Sequence, residues 1–139
     1  MGHARIGVRY VIGEETRIVE IVFPTNTNSY GTLFGGHALS LMDRLAFIVA
    51  SRYARKTVVT ASSEKIEFRT PVKEGDLIEL VGRIVRVGNT SITVDIDMYS
   101  ENLLTGERKL STTGEFVMVA VGEDGRPTPV PQPVTALSS

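Results

Sequence analysis

Asn28, Gly35, Gly36 and Asp43 are the residues of this chain whose types and spacing could do chemistry. The first three stand in Thr27-Asn28-Ser29-Tyr30-Gly31-Thr32-Leu33-Phe34-Gly35-Gly36, a glycine-punctuated loop, and Asp43 in the helix-like run His37–Ala54 that follows directly. That run is apolar around most of its circumference, where a buried carboxylate is costly without compensation. An aspartate in water is ionised at neutral pH, so Asp43 could act as general base on water or as a nucleophile. Backbone N–H groups of Gly35 and Gly36 would lie at the positive end of the helix dipole, suited to a developing oxyanion. The Asn28 side chain could hold a water or a carbonyl oxygen.

Each feature also has a plainer use. Asp43 could pair with Arg44 or a neighbouring strand, Asn28 could organise a turn, and the glycines could serve a sharp bend or close packing. His37 reads as a surface or interface residue. Spacing adds a constraint, because Asp43 lies seven residues past Gly36, about 10 Å along a helix axis. Side-chain tilt toward the N-terminus recovers only part of that distance. An oxygen held at Gly36 would sit far from Asp43 of the same chain, and a two-fold dimer with adjacent helices could supply the partner's Asp43 instead.

The elements that must position these residues follow from the hydrophobic pattern. Thr16–Phe23 mixes alternation with β-branched residues and stops at Pro24, predicting a strand. Strand-like segments follow at Thr57–Phe68, Asp76–Val87, Ser91–Tyr99 and Arg108–Val121. In Ser91–Tyr99, Ile92, Val94, Ile96 and Met98 share one face, while Thr93, Asp95 and Asp97 share the other. Lys73-Glu74-Gly75 and Gly88-Asn89-Thr90 are short turn-like connections that favour antiparallel neighbours. The stretch from Gly122 carries Pro127, Pro129, Pro131 and Pro133, predicting an extended tail or surface wrap. The expected organisation is an N-terminal extension 1–15, a domain 16–122 and a proline-rich tail 123–139.

One helix with an antiparallel sheet is an α+β pattern. In the helix, Ser40, Asp43, Arg44 and Ser51 fall within a stripe of roughly 100°, and the rest is Ala, Leu, Met, Phe, Ile and Val. Such a helix must be wrapped by sheet on most sides, with the stripe facing water or a second subunit. A long antiparallel sheet of about five strands around one helix is the hotdog fold, whose edges usually pair into dimers.

The 139 residues are 42% hydrophobic and 22% charged with a formal net charge of −1, enough for one core and without a general attraction to nucleic acid or anionic membrane. There is no cysteine and only His3 and His37, which excludes disulfides, thiolate metal sites and a cysteine nucleophile. No metal site is expected. No apolar run reaches the ~20 residues of a membrane span, and the first thirty residues lack a signal-peptide core. These point to the cytoplasm, although lack of cysteine fits an exported protein equally.

Pro24-x-x-Thr27-Asn28-x-x-Gly31-x-x-Phe34-Gly35-Gly36 and Met42-Asp43 are joined, in order, by three further motifs: Phe68-Arg69-x-Pro71-Val72-x-x-Gly75-Asp76, Gly88-Asn89-Thr90-Ser91, and Phe116–Val121 with Asp124-Gly125-Arg126-Pro127. Across roughly residues 16–131 the chain resembles hotdog acyl-CoA thioesterases, specifically the YciA-type and cytosolic acyl-CoA hydrolase group. Departures are Asn26 where an acidic residue is frequent, Thr32 where Asn or Asp is frequent, and Glu64 where Asp is common.

The resemblance implies metal-independent hydrolysis of acyl-CoA thioesters to free acid and coenzyme A, in lipid metabolism and without a cofactor, since coenzyme A is part of the substrate. It implies a catalytic role for Asp43, Asn28, Gly35 and Gly36, a site shared across a homodimer, and three dimers in a hexamer. Gly88, Asn89, Thr90 and Ser91 would line the pantetheine and nucleotide path. Some of Arg52, Arg55, Lys56, Lys65, Arg69 and Arg86 would meet the coenzyme's phosphates, whereas Glu64 and Glu67 read as strand-surface charges. Two rivals stand beside this reading: a hotdog hydratase or dehydratase using His37, and a non-catalytic acyl-CoA-binding module.

Overall fold

The computed structural model describes residues 14–133; most of the expected extension 1–15, His3 included, and the tail past Pro133 lie outside the described residues. The described chain forms strand β1 (Thr16–Ile21), a 3-10 turn at Pro24–Asn26, helix α1 (Gly35–Ala54), and strands β2 (Thr57–Phe68), β3 (Leu77–Val87), β4 (Ser91–Glu101) and β5 (Arg108–Val121). All pairings are antiparallel in the order β1-β3-β4-β5-β2, and α1 contacts every strand. This is the expected α+β hotdog architecture. Among the described residues no helix is long and apolar enough to cross a membrane.

The alternation in β4 sets the core, with Ile92, Val94, Ile96 and Met98 fully buried beneath Leu41, Met42, Leu45 and Val49 of α1. Full burial of such a side chain contributes about 1.5–3 kcal/mol. Two glycines let the helix settle on the sheet. A methyl group at Gly82 of β3 would come within 2.9 Å of Ile96 Cδ1 and 3.1 Å of Leu45 Cγ, and one at Gly114 of β5 within 2.9 Å of Met42 Cε. Gly82→Val is expected to destabilise the fold by about 1–3 kcal/mol, read as a lowered midpoint in urea unfolding. An unchanged midpoint would show that Leu45 and Ile96 swing aside freely.

Boundaries differ from the sequence reading for local reasons. β1 ends at Ile21 rather than Phe23 because Val22 donates to the Asp76 carbonyl and accepts from the Gly75 N–H. Phe23 then caps the 3-10 turn, its N–H donating to Asn26 Oδ1 at 3.1 Å. β4 runs on past Tyr99 to Glu101, where the Asn102 N–H closes the following loop on the Glu107 carbonyl at 2.9 Å. The helix is not wrapped on every apolar side either. Phe47, 50% exposed, shares the uncovered face with the exposed Ser40 and Arg44.

β2 is a sheet edge of 12 residues and mostly exposed. Register shifts against β5 between Thr60 and Ser62, and between Glu64 and Glu67, mark two bulges, the second around Lys65 at φ 54°. The first bulge flips the side-chain alternation and the second restores it. Val58 and Thr60 therefore face the helix, as do Ile66 and Phe68 beyond the second bulge.

On the outer face, Arg83, Asp95, Glu115 and Glu64 stand opposite one another on β3, β4, β5 and β2. Burial holds the Asp95 carboxyl above the usual aspartate range, Glu115 and Asp97 push the same way, and Arg83 and Lys65 oppose them. The folded chain thus keeps a proton where the unfolded chain has released it. Stability falls as pH rises from the unfolded value near 3.9 through the folded one, and the penalty is complete above that. Asp95→Asn is expected to raise the thermal midpoint at neutral pH by about 2 °C or more, with the gain vanishing below the ordinary aspartate range. An equal gain at all pH values would exclude the titration.

Candidate active site

Sequence chemistry fixes the Asn28 loop from within. Asn28 Oδ1 accepts from the Tyr30 N–H at 2.9 Å, the Thr32 N–H at 3.2 Å and the Thr32 hydroxyl at 3.1 Å. Gly31, at φ +78°, closes the turn by donating to the Asn28 carbonyl at 3.0 Å. The loop is clamped from outside by Leu33 N–H to the Val72 carbonyl and Glu74 N–H to the Gly31 carbonyl. With Oδ1 committed to three donors, Asn28 presents only its Nδ2–H groups. It can donate to a carbonyl or water oxygen, and it cannot accept a water's proton.

Phe34 is the N-cap of α1 and supplies no side-chain cap; its carbonyl accepts from the His37 and Ala38 N–H groups. The Gly35 and Gly36 N–H groups have no hydrogen-bond partner among the described residues, as helix geometry dictates for a first turn. Neither glycine has a positive φ. A methyl group on Gly35 would make ordinary contact with the Phe68 ring at 3.5 Å, and the space beside Gly36 is open. The chain's own fold therefore does not require glycine at Gly36, and the helix start is left approachable.

Asp43 lies half-buried on α1, and its Oδ1 accepts from the Thr60 hydroxyl at 2.7 Å. The possible pairing with Arg44 does not occur: Arg44 turns to Glu20 at 3.8 Å. The strand alternative holds in the form of Thr60, a residue absent from the sequence reading. Thr60 sits in an unremarkable Thr-Ala-Ser-Ser stretch, and the packing of β2 on α1 brings it to Asp43.

A cavity of about 340 Å³ opens at the helix start, lined among others by Thr32, Leu33, Gly35, Phe68, Arg69 and Thr112. Gly35 lines it; Asn28 and Asp43 do not. Of the six basic candidates only Arg69 lines this cavity, beside Glu67 at 2.9 Å. Lys56 donates to the Pro129 carbonyl and Lys65 pairs with Glu115. His37 is half-buried in the first helical turn. Among the described residues no group of three His, Cys, Asp or Glu side chains is placed to hold a metal ion.

The register separates Gly88–Ser91 from the loop. Phe68, beside Gly35, pairs with Thr112 near the start of β5, whereas Ser91 pairs with Val119 and Thr57 with Val121 near its end. Within one protomer the Gly88–Ser91 turn thus lies by the helix C-terminus, at the opposite end of the sheet from Asn28, Gly35 and Gly36. The structure brings Asn28, Gly35 and Gly36 to one end, holds Asp43 farther along α1, and places the turn at the far end.

A profile of the thioesterase superfamily matches residues 30–107. The Bacillus subtilis protein YkhA, described as an uncharacterized acyl-CoA thioester hydrolase, is 38% identical over 123 residues, covering 87% of this chain and 72% of its own. Among solved structures, an apo-hexameric acyl-CoA thioesterase superposes with a TM-score of 0.85 at 40% identity, over 92% of this chain and 84% of that one. Acyl-CoA hydrolase from Staphylococcus aureus, solved with butyryl coenzyme A, coenzyme A and coenzyme A disulfide, gives a TM-score of 0.80 at 29% identity, over 88% of this chain and 76% of that one. Variants of that enzyme with an aspartate, a threonine and an asparagine changed to alanine have also been solved. Motif order, fold and likeness agree, and the chain belongs to the thioesterase superfamily as a hotdog acyl-CoA thioester hydrolase.

Proposed function

We propose that Asp43 is the catalytic carboxylate of this thioesterase, working with Asn28 and the Gly35 and Gly36 N–H groups in a site shared by two chains. The observation that carries the reading is the Thr60–Asp43 hydrogen bond at 2.7 Å. It orients one carboxylate oxygen from the edge strand and leaves the other open to the reaction, and general-base action on water is the role we assign to it. The aspartate, threonine and asparagine altered in the Staphylococcus aureus enzyme are the residue types of this constellation.

In the proposed reaction, Asp43 takes a proton from water as the oxygen attacks the thioester carbonyl. The resulting oxyanion is met by the helix-start N–H groups and by Asn28 Nδ2. Collapse breaks the C–S bond, and the proton returns to the departing thiolate, giving free acid and coenzyme A.

The exposed edge strand β2 supports sharing across a dimer. Two copies of β2 paired antiparallel about an axis near Glu64 set the partner's Phe68 opposite Thr60. Because the Phe68 ring lies beside Gly35, that operation carries the partner's helix start toward Asp43 and covers Phe47. The same two-fold brings the partner's Gly88–Ser91 turn to the end of the sheet that holds the Asn28 loop. A hexamer of three such dimers is the assembly we assign, by likeness to the hexameric thioesterase, with the cytoplasm as its compartment.

Thiol release from a panel of acyl-CoA substrates tests the proposal. Thr60→Val, which keeps the shape and removes the donor, is expected to lower kcat about tenfold with KM little changed, and Thr60→Ser to restore it. Wild-type activity in Thr60→Val would remove Thr60 from the site. Tight acyl-CoA binding by wild type without thiol release would favour the binding module.

A further inference from the structure

Four prolines alternate with other residues over Pro127–Pro133, and alternation fixes how this segment can bond. Proline has no N–H and holds φ near −65°, so the segment is stiff and extended, with donors only at Thr128, Val130 and Gln132. After β5 the chain reverses through Gly125 at φ +79°, with the Gly122 N–H donating to the Arg126 carbonyl at 2.9 Å. It then crosses the helix C-terminus as a strap. Val130, 5% exposed, plugs into the core. The Tyr53 hydroxyl donates to the Pro131 carbonyl at 2.6 Å and Lys56 Nζ to the Pro129 carbonyl at 2.5 Å.

The strap also bonds to β5 and, through Val130 and Gln132, to the Gly88–Ser91 turn. The Thr128 N–H donates to the Ala120 carbonyl, and the Ala120 N–H to the Thr90 carbonyl. The Val130 N–H donates to the Asn89 carbonyl at 2.9 Å. Gln132 Nε2 donates to the Gly88 carbonyl at 3.1 Å, and also to the Val130 carbonyl. A trans peptide is planar with C=O and N–H opposed. Turning the Gly88 and Asn89 carbonyls toward the strap therefore turns the Asn89 and Thr90 N–H groups away from it. Those two successive N–H groups have no hydrogen-bond partner among the described residues, and Asn89 is exposed. Consecutive amides facing one way form a concavity for an anionic oxygen.

The geometry points to a positioning role for the strap: by holding the Gly88 and Asn89 carbonyls, Val130 and Gln132 aim the Asn89 and Thr90 amides at a phosphate of the coenzyme. This rests on the reading that the turn meets coenzyme A. Tyr53 and Val130 anchor the strap and touch no substrate. The strap thus serves affinity for the nucleotide end of the substrate and leaves the hydrolytic step to Asp43.

Substrates with and without phosphates separate these roles. Hydrolysis is followed for an acyl-CoA and for the matching acyl-pantetheine, which has the same thioester and no phosphate. The variant Tyr53→Phe/Gln132→Ala is expected to raise KM for acyl-CoA roughly tenfold, about what one charge-assisted hydrogen bond supplies. Its kcat should stay within about twofold, and KM for acyl-pantetheine should not move. Asn89→Asp, which sets a negative charge in the turn, probes the turn without touching the strap and should raise KM for acyl-CoA alone. If Asn89→Asp acts and the strap variant does not, the strap inference is overturned and the turn keeps its role. If neither changes KM for acyl-CoA, the turn does not meet the phosphates and both readings fall. If the strap variant raises both KM values alike, or lowers kcat together with the thermal midpoint, the strap is structural only. Should the double variant fail to fold, Gln132→Ala alone carries the same comparison.

Discussion

Asp43→Asn is expected to lower kcat for acyl-CoA hydrolysis by about 10³-fold, while KM stays within a few-fold of wild type. The magnitude is that of a general base lost from a site whose binding groups remain, for which 10²–10⁴ is usual. Asparagine preserves the shape, and its Oδ1 can still accept from the Thr60 hydroxyl, so the α1–β2 contact survives. The carboxylate is half-buried and has no cationic partner among the described residues, so no opposite charge is orphaned by its removal. The thermal midpoint should accordingly hold or rise, and the loss will not trace to unfolding. Thiol release in steady state, with a thermal scan on the same preparation, checks both halves. Retention of more than about a tenth of wild-type kcat would take Asp43 out of the chemistry.

Chains carrying Asn28→Ala and chains carrying Asp43→Ala, each inactive alone, are expected to recover activity when mixed through denaturation and refolding. Random association makes half the dimers mixed, and each has one site with both residues intact and one with neither. Activity should therefore return to about a quarter of wild type, a rise of more than 100-fold over either parent. The expectation follows from the roughly 10 Å between Gly36 and Asp43 along α1 and from a cavity that includes Gly35 but not Asp43. If each site were built within one chain, every site in the mixture would carry one lesion, and activity would stay at the parental level. Refolded wild type supplies the yield correction, and size-exclusion chromatography verifies that mixed assemblies form.

Legibility in the sequence tracked how local each interaction was. β4 could be read directly because its alternation is unbroken, and Ile92, Val94, Ile96 and Met98 are all fully buried. The extent of β2 was legible too, its bounds Thr57–Phe68 matching those expected. Its facing was not, since two bulges shift the alternation without a sequence mark such as glycine or proline. Thr60 precedes both bulges and shares the helix face with Val58 by plain alternation, but no local residue pattern marks its contact with Asp43 across the α1–β2 packing. Asn28 was singled out by its setting beside Gly31, yet the atom it offers depended on Tyr30 and Thr32 consuming Oδ1. Phe47 was assigned to the wrapped part of the helix by composition, whereas the sheet covers only one side of α1 and leaves it half exposed.

Gly88-Asn89-Thr90-Ser91 shows the same division. Its residue types predict a hairpin turn, and the turn forms, with the Gly88 N–H on the Ser91 carbonyl at 2.8 Å. The carbonyls and amides it turns outward are settled by a strap some forty residues later, through bonds such as Gln132 to Gly88. Proline content predicted an extended segment there, but not what it would touch.

By itself the sequence determined the helix, the strands, the tight turns and the residue types able to do chemistry, because periodicity and turn preferences act over a few neighbours. Tertiary structure alone decided that Thr60 orients Asp43, that Asn28 presents donors only, and that the Asn28 loop and the Gly88–Ser91 turn lie at opposite ends of the sheet. The reason is physical: antiparallel register and bulges convert small local shifts into which face, and which end, a side chain occupies.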